Sequence, residues 1–300
     1  MSLLKRPLER PRTETAGNEA RPKLNYASKL RLFDVRALGV LSFEHENEKT
    51  SEVSVIIPLF NYRNYIEECL ESVINQDLEV LSVTVIDDSS SDGGGEVAAK
   101  FLERFGQRFA AARVVRHRRN QGLAMARNSG IVWSSEPFLF MLDADNRIRP
   151  PALSRLLEAL ACSQSEFAYS QRYLFGGYNA IGNADIWDPD RFRSEGSYID
   201  AMALIRREAV LSVGGYGVLA VAQGWEDFDL WCRFAELGYR GTYLPELLCE
   251  YRIHEASMLH THTASYERSL ALEMALRHPA LLGRGDVPPF IELFPIDNTS

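Results

Sequence analysis

Two carboxylates one residue apart, Asp143 and Asp145 in the run Asp143-Ala144-Asp145-Asn146, close an apolar segment that reads as a β-strand. Alternation along an extended chain sends both to one side, near the strand end, where they can share one cation. Without a cation they repel, and one of them tends to take up a proton. Oxygen-only ligands suit Mg2+ or Mn2+, and a cation chelated to a diphosphate removes the conflict. An isolated D-x-D pair also occurs in ordinary surface turns, so the pair needs company before it means a metal site.

Four other groups could supply that company. Asp87-Asp88-Ser89-Ser90-Ser91-Asp92 ends a second apolar run; such acids and serines cap helices and close turns, and one carboxylate could instead accept a hydrogen bond from a nucleobase imide. In Asn120-Gln121-Gly122-Leu123-Ala124-Met125-Ala126-Arg127-Asn128, Gly122 allows close backbone approach before a helix. Arg127, a turn into that helix, can fork onto phosphate oxygens or brace a neighbouring acid. Gln223-Gly224-Trp225-Glu226-Asp227 puts acids in the first turn of a helix, where the macrodipole favours them. Asp227 could equally serve as a general base toward a hydroxyl, worth on the order of 10² to 10⁴ in rate, with Trp225 offering a sugar a stacking face or simply packing. In Tyr251-Arg252-Ile253-His254, the imidazole is either a polar surface group or a ligand for a metal or phosphate.

The elements that must position these residues alternate. Val53–Pro58 reads as a buried parallel strand; Asn64 and Glu67 resemble a capping box before a helix whose stripe is Ile66, Leu70, Val73 and Ile74. Strand 81–86, helix 95–105, strand 113–115, helix 123–133 and strand 138–142 come next, then a helix after Pro150-Pro151. This predicts an α/β fold with a mainly parallel, doubly wound, Rossmann-like sheet, whose ligands gather at the carboxyl ends of the strands. The pattern loosens over 175–198, a long loop of the kind that often chooses a substrate. It returns with 199–205, 207–213, a Gly214-Gly215-Tyr216 turn, a helix over 226–237, and strands near 241–244 and 248–252. Residues 1–50 read as a tail and accessory segment ending in a charged linker over 44–51, residues 51–255 as the main domain, and 256–300 as a C-terminal helical extension.

The chain has 300 residues, 46% of them hydrophobic, enough for a real core, and a net charge of -8. That balance argues against nucleic acid as a partner. Cys69, Cys162, Cys232 and Cys249 form no CxxC pair and read as reduced core residues of a cytoplasmic protein. No run of about 18 apolar residues suggests a membrane span, and there is no apolar signal core. Peripheral membrane contact through Lys5, Arg6, Arg10 and Arg12 is the alternative to a solvated tail. His260 and His262 are given no role.

Taken in order, the motifs resemble the family 2 glycosyltransferases of the GT-A fold, inverting enzymes that use nucleotide sugars. The likeness runs from about Val53 to Arg252 and includes Pro58, Asn61-Tyr62, Tyr65, Ser72 and Gln76. It continues through Asp87-Asp88, Asn120-x-Gly122, Ala126-Arg127-Asn128, Asp143-x-Asp145, Gly214-Gly215-Tyr216, Glu226-Asp227 with Asp229-Leu230-Trp231, and Tyr251-Arg252-x-His254. The resemblance implies that Pro58, Asn61 and Asp88, with Asp87 as a second candidate, meet the nucleoside. Gly122, Arg127, Asp143 and Glu226 join the donor-binding set; Asp143, Asp145 and, ranked lower, His254 serve Mn2+ or Mg2+; Asp227 is the catalytic base. A nucleotide sugar, most simply a UDP-sugar, is the implied donor and a carbohydrate or other hydroxyl the acceptor. Members commonly have Gly where this chain has Ser89, and the run Gly93-Gly94-Gly95 departs from a good helix start. The alternatives are a sugar-nucleotide pyrophosphorylase and a noncatalytic nucleotide- or carbohydrate-binding module.

Overall fold

The structure, a computed structural model, describes residues 35–258 and 263–283. The basic tail, the accessory segment up to residue 34, His260, His262 and residues 284–300 lie outside the described residues.

Among the described residues, ten strands form one mixed sheet: β1 (Gly39–Glu46), β2 (Val53–Leu59), β3 (Ser82–Asp87), β4 (Ala111–His117), β5 (Phe138–Met141), β6 (Arg147–Ile148), β7 (Phe167–Gly176), β8 (Ala180–Ile181), β9 (Ala203–Arg206) and β10 (Gly241–Ile253). The order is β1-β4-β3-β2-β5-β9-β7-β10-β6, with β8 on β7. β4, β3, β2 and β5 run parallel, as do β7 and β10, and β9 joins these two blocks antiparallel to both neighbours.

Helices cover both faces. They are α1 (Ile66–Ile74), α2 (Gly94–Phe105), α3 (Leu123–Trp133), α4 (Ala152–Ala161), the short α5 (Phe192–Glu195) and α6 (Arg207–Ser212), α7 (Glu226–Glu236), α8 (Glu267–Arg277) and α9 (Pro279–Leu282). β2 explains why its residues are so uniformly apolar: Val53, Val55, Ile57 and Leu59 enter the core beneath α1, α2 and α4, while Ile56 points into the opposite core with α3 and α7. At Gly130 of α3 a Cβ would sit 2.1 Å from the Ile56 Cγ2, so the helix lies on the sheet through its glycine.

Several expectations need correction. α1 has Tyr65 at its N-cap with no side-chain cap bond, so the Asn64–Glu67 capping box does not form; Glu67 and Glu68 in its first turn favour the helix end instead. The supposed linker at 44–51 begins inside β1, whose antiparallel pairing with β4 runs to Glu46, and Arg113 pairs with both Glu44 and Glu46. The two strands expected at 241–244 and 248–252 are one, β10, irregular between Leu244 and Cys249. β7 escaped the sequence pattern because its first four residues are all buried and the next four all half-buried, leaving no alternation to read.

The C-terminal extension is continuous with the domain. Leu270, Ala271, Met274 and Leu282 of α8 and α9 belong to the same core as Trp231 and Phe234 of α7. Asp229 of α7 accepts from Arg233, from Arg277 at 3.2 Å and from His278 at 3.1 Å, fastening that packing. All four cysteines are free; Cys162 is exposed at the end of α4, not in the core. Among the described residues no helix is long and apolar enough to cross a membrane.

Candidate active site

A cleft of about 620 Å³ opens at the carboxyl ends of β2, β3 and β5. Pro58, Asn61, Asp88, Asp143 and Asp145 line it, together with Tyr62, Asn120, Gln223, Tyr251 and the 256–258 segment. Residues far apart in the chain therefore share one cleft.

The loops that follow β2 and β3 are laced together. Asn61 adopts the left-handed region, φ 57°; its N–H donates to the Ser90 hydroxyl at 3.1 Å and its Oδ1 accepts the Ser91 N–H at 2.8 Å. Ser89 has φ 65°, the backbone state that glycine, the residue the resemblance leads one to expect here, adopts without penalty. Asp88 is buried and accepts three hydrogen bonds, from His117 Nδ1 at 2.6 Å and from the Gln121 and Gly122 amides at 2.8 Å each. It thereby fixes the Asn120–Gly122 loop while still facing the cleft. Gly122, φ 87°, lies outside the lining and acts through that bond.

Asp87 is not part of the cleft wall. It is fully buried, pairs with Arg116 and accepts the Ser90 amide at 2.8 Å. The glycine run finds its reason here: a Cβ on Gly95 would lie 2.3 Å from the Asp87 Oδ2, so α2 can set its first turn against this carboxylate only with glycine.

On the opposite wall, residues 143–146 form a turn beyond β5 rather than a strand end, closed by the Asn146 N–H to Asp143 carbonyl bond at 3.0 Å. Burial raises the pKa of Asp145, the His254 bond opposes this, and the nearby Asp143 charge raises it further. His254 Nε2 lies 3.0 Å from Asp145 Oδ2, its ring packed by Tyr62 and Tyr65. Burial and the charges of Asp145 and Asp143 raise the pKa of the Tyr62 hydroxyl. Arg252 donates through Nε to the Asp145 carbonyl and through its N–H to Asn146 Oδ1, both at 2.8 Å. The two conspicuous residues of the Tyr251-Arg252-x-His254 run thus hold the acidic turn from both sides. Ser72 and Gln76 of α1 hold the chain just beyond that turn: Ser72 accepts the Ile148 amide, while Gln76 donates to the Arg149 carbonyl and accepts the Leu153 amide.

Among the described residues no group of three or more His, Cys, Asp or Glu encloses a metal. Asp145 Oδ2 and His254 Nε2 lie 3.0 Å apart as hydrogen-bond partners, and each would give up that bond to ligate a cation. His254 Nδ1 is buried without a hydrogen-bond partner.

Arg127, on α3 and 3% exposed, donates from Nη2 to Asp143 Oδ1 at 2.9 Å and lies over the Tyr216 ring. Of its two readings, the structure contains the brace to an acid. Burial would lower its pKa, but Asp143, Tyr216, Asp227 and Glu226 together raise it. Asp227 itself is pushed up to about 7, chiefly by burial; Arg127 opposes the shift, and Asp200 and Glu226 add to it. Glu226 is 1% exposed and accepts the Gly224 amide at 2.8 Å, so it shapes the loop before α7; like Asp227, Arg127 and His254, it is not among the residues that line the cleft. Gln223 caps α3 in place of a local residue, accepting the Leu123 amide at 2.9 Å. Asp200, an isolated acid without a motif, was not singled out from sequence; it acts electrostatically on both Asp227 and Asp143.

The family profile described as "Glycosyl transferase family 2" matches residues 54–214, over half of the chain. The chain belongs to this family. Similar proteins include GlyA of Streptococcus pneumoniae, 24% identical over 258 residues, covering 78% of this chain and 35% of that protein. The putative glycosyltransferase EpsE of Bacillus subtilis is 24% identical, covering 69% and 74%. EpsJ of B. subtilis is 34% identical over 106 residues, or 35% of this chain and 29% of its own length. The chain thus spans about a third of EpsJ and GlyA. Among solved structures, S. aureus TarS in complex with UDP-GlcNAc superimposes with a TM-score of 0.60 at 17% identity, covering 75% of this chain and 67% of that one. Mannosyltransferase PcManGT from Pyrobaculum calidifontis, in complex with GDP-Man and Mn2+, gives 0.59 at 18%, covering 88% and 74%. Both likenesses establish the GT-A fold.

Proposed function

We propose that this protein transfers a sugar from a nucleoside-diphosphate sugar, most simply a UDP-sugar, to an acceptor hydroxyl with inversion at the anomeric carbon. One observation carries the reading: Arg127 binds Asp143 of the acidic turn and also lies within the field of Asp227, joining a donor wall to a carboxylate suited to proton removal. Pro58, Asn61 and Asp88 would flank the nucleoside and leave the diphosphate toward Asp143 and Asp145. Asp145 and His254, with Asp143 beside them, would hold Mn2+ or Mg2+, which when bound supplies positive charge for the departing nucleoside diphosphate.

Asp227 takes the acceptor proton as that oxygen attacks the anomeric carbon from the face opposite the leaving group. A base whose pKa lies near neutrality is matched to this task. Membership of the family argues against the pyrophosphorylase and the noncatalytic module. The test incubates the full chain with UDP-, GDP- and dTDP-sugars, Mn2+ and a panel of glycoside acceptors, reading product anomeric configuration by NMR. Asp227→Asn should abolish transfer while nucleotide binding, followed by thermal shift, persists. Retained configuration, or near-normal turnover by Asp227→Asn, defeats the proposal.

A further inference from the structure

A buried histidine stands behind the cleft carboxylate Asp88. β3 and β4 run parallel with Asp87 opposite Arg116, so the next residues, Asp88 and His117, leave the sheet side by side. Val115 packs with Ala126 of α3, and alternation along β4 turns His117 toward the same helix. The imidazole is 1% exposed and both its nitrogens are engaged: Nδ1 lies 2.6 Å from Asp88 Oδ1, and Nε2 lies 2.7 Å from the Ser129 hydroxyl of α3. A carboxylate only accepts, so Nδ1 carries the hydrogen and donates it, while Ser129 holds the ring by its other nitrogen. Neither residue belongs to any of the motifs read from the sequence.

Asp88 is left with little spare capacity. An ionised carboxylate has about four acceptor sites, two on each oxygen. His117 Nδ1 and the Gln121 amide occupy Oδ1, and the Gly122 amide takes one site of Oδ2. Among the described residues one site is free, on Oδ2, and the residue lines the cleft. A uracil or thymine ring presents one N–H between two carbonyls, which a single site satisfies. A guanine edge presents two adjacent N–H donors, which engage a carboxylate through both oxygens; with Oδ1 filled, the second donor is left unpaired at a cost in affinity. We propose that His117 is a positioning residue that fills Asp88 Oδ1, so that Asp88 accepts one hydrogen bond from a nucleobase and selects a uracil- or thymine-bearing diphosphate against a guanine-bearing one. This rests on the nucleotide-sugar reading above. Of the three donors on Asp88, His117 alone is a side chain and can be removed by substitution.

The test is isothermal titration calorimetry of the full chain with UDP, GDP and N3-methyl-UDP, each with Mn2+. The parent should bind UDP at least about tenfold more tightly than GDP, and also than the methylated analogue, which lacks the imide donor. His117→Asn places an amide nitrogen where Nδ1 was, and His117→Gln places one where Nε2 was. The Gln variant should bring the UDP-over-GDP preference to within about threefold, and the Asn variant should restore most of it. A packing role alone would weaken both diphosphates together and would not separate Asn from Gln. Ser129→Ala removes one hydroxyl from a helix, so it spares the fold, and it should lower the preference about two- to fivefold. It decides the matter where His117→Gln does not fold. GDP or N3-methyl-UDP bound by the parent as tightly as UDP would overturn the proposal. So would an unchanged preference in folded His117→Gln, or in Ser129→Ala where that variant does not fold. Binding of neither UDP nor GDP by the parent defeats the proposed function as well; UDP binding with an unmoved preference defeats this inference alone.

Discussion

Asn128 clasps both backbone groups of Tyr216, accepting its N–H at 2.7 Å and donating to its carbonyl at 2.9 Å. The two residues lie 88 positions apart, and each belongs to a motif that looked independent in the sequence. The clasp sets the Tyr216 ring beneath the Arg127 guanidinium, 5.2 Å away, and so fixes the residue that holds Asp143.

Replacing Asn128 with Ala leaves the Tyr216 amide and carbonyl buried without partners. Each unsatisfied group costs about 1–3 kcal/mol, which in a chain of this size lowers Tm by several degrees. Differential scanning calorimetry should show that drop, together with weaker nucleotide binding. Asn128→Asp, which keeps the acceptor but loses the donor, should fall between. An Asn128→Ala protein that melts like the parent would mean the clasp does not brace the site.

Ser89 offers the opposite sign. A non-glycine residue at φ 65° carries strain of about 1–2 kcal/mol, partly offset in a Gly variant by the greater freedom of its unfolded chain. Ser89→Gly is therefore expected to raise stability by about 0.5 kcal/mol, seen as a higher urea midpoint with an unchanged slope. A lower midpoint would show that the Ser89 side chain contributes more than its backbone costs.

The parts of the fold that the sequence announced are those with a local signal. β2 is a continuous apolar run because both faces are buried, and Asp143 and Asp145 stand together at the end of such a run. The features that stayed hidden depend on distant partners. Nothing local distinguishes Asp87 from Asp88, yet Arg116 takes one into the interior and His117 orients the other at the cleft. Arg127 could equally have served a phosphate or an acid until Asp143 was found beside it, and Asp200 has no periodic or motif context at all. β7 was obscured for a different reason, since one strand that passes from full to partial burial has no single period.

Asp229 is an acid of α7 with a structural part. Burial alone would raise its pKa, but Arg233, the His278 bond and Arg277 hold it well below the ordinary aspartate range. Its stabilising contribution is present above the unfolded aspartate value near 4 and is lost as pH falls through and below it. His278, raised by Asp229 and Glu236 against the effect of burial, contributes below the unfolded histidine value near 6.5 and loses that contribution as pH rises through its folded value. Tm should thus decline on both the acid and alkaline sides. Asp229→Asn should cost about 3–5 kcal/mol and flatten the acid limb. An acid limb as steep as the parent's would assign the acid sensitivity elsewhere.

Asp227 predicts a dissociation between stability and activity. With its pKa raised from 3.8 to about 7, ionising it works against the folded state, so its cost develops between those two values and persists above them. Asp227→Asn removes that cost: at pH 8 the variant should be more stable by about 2 kcal/mol, less than the full shift implies because the carboxyl retains some water. At pH 4 the two proteins should melt within about a degree of each other. Turnover of the parent should rise with pH through the same region, because only the deprotonated carboxylate can accept the acceptor's proton. The variant should lose this activity by about 10² to 10⁴ while gaining thermal stability. A loss of activity accompanied by a lower Tm at pH 8 would instead assign Asp227 a structural part like that of Asp229, and the base would have to be sought among the other acids around Arg127.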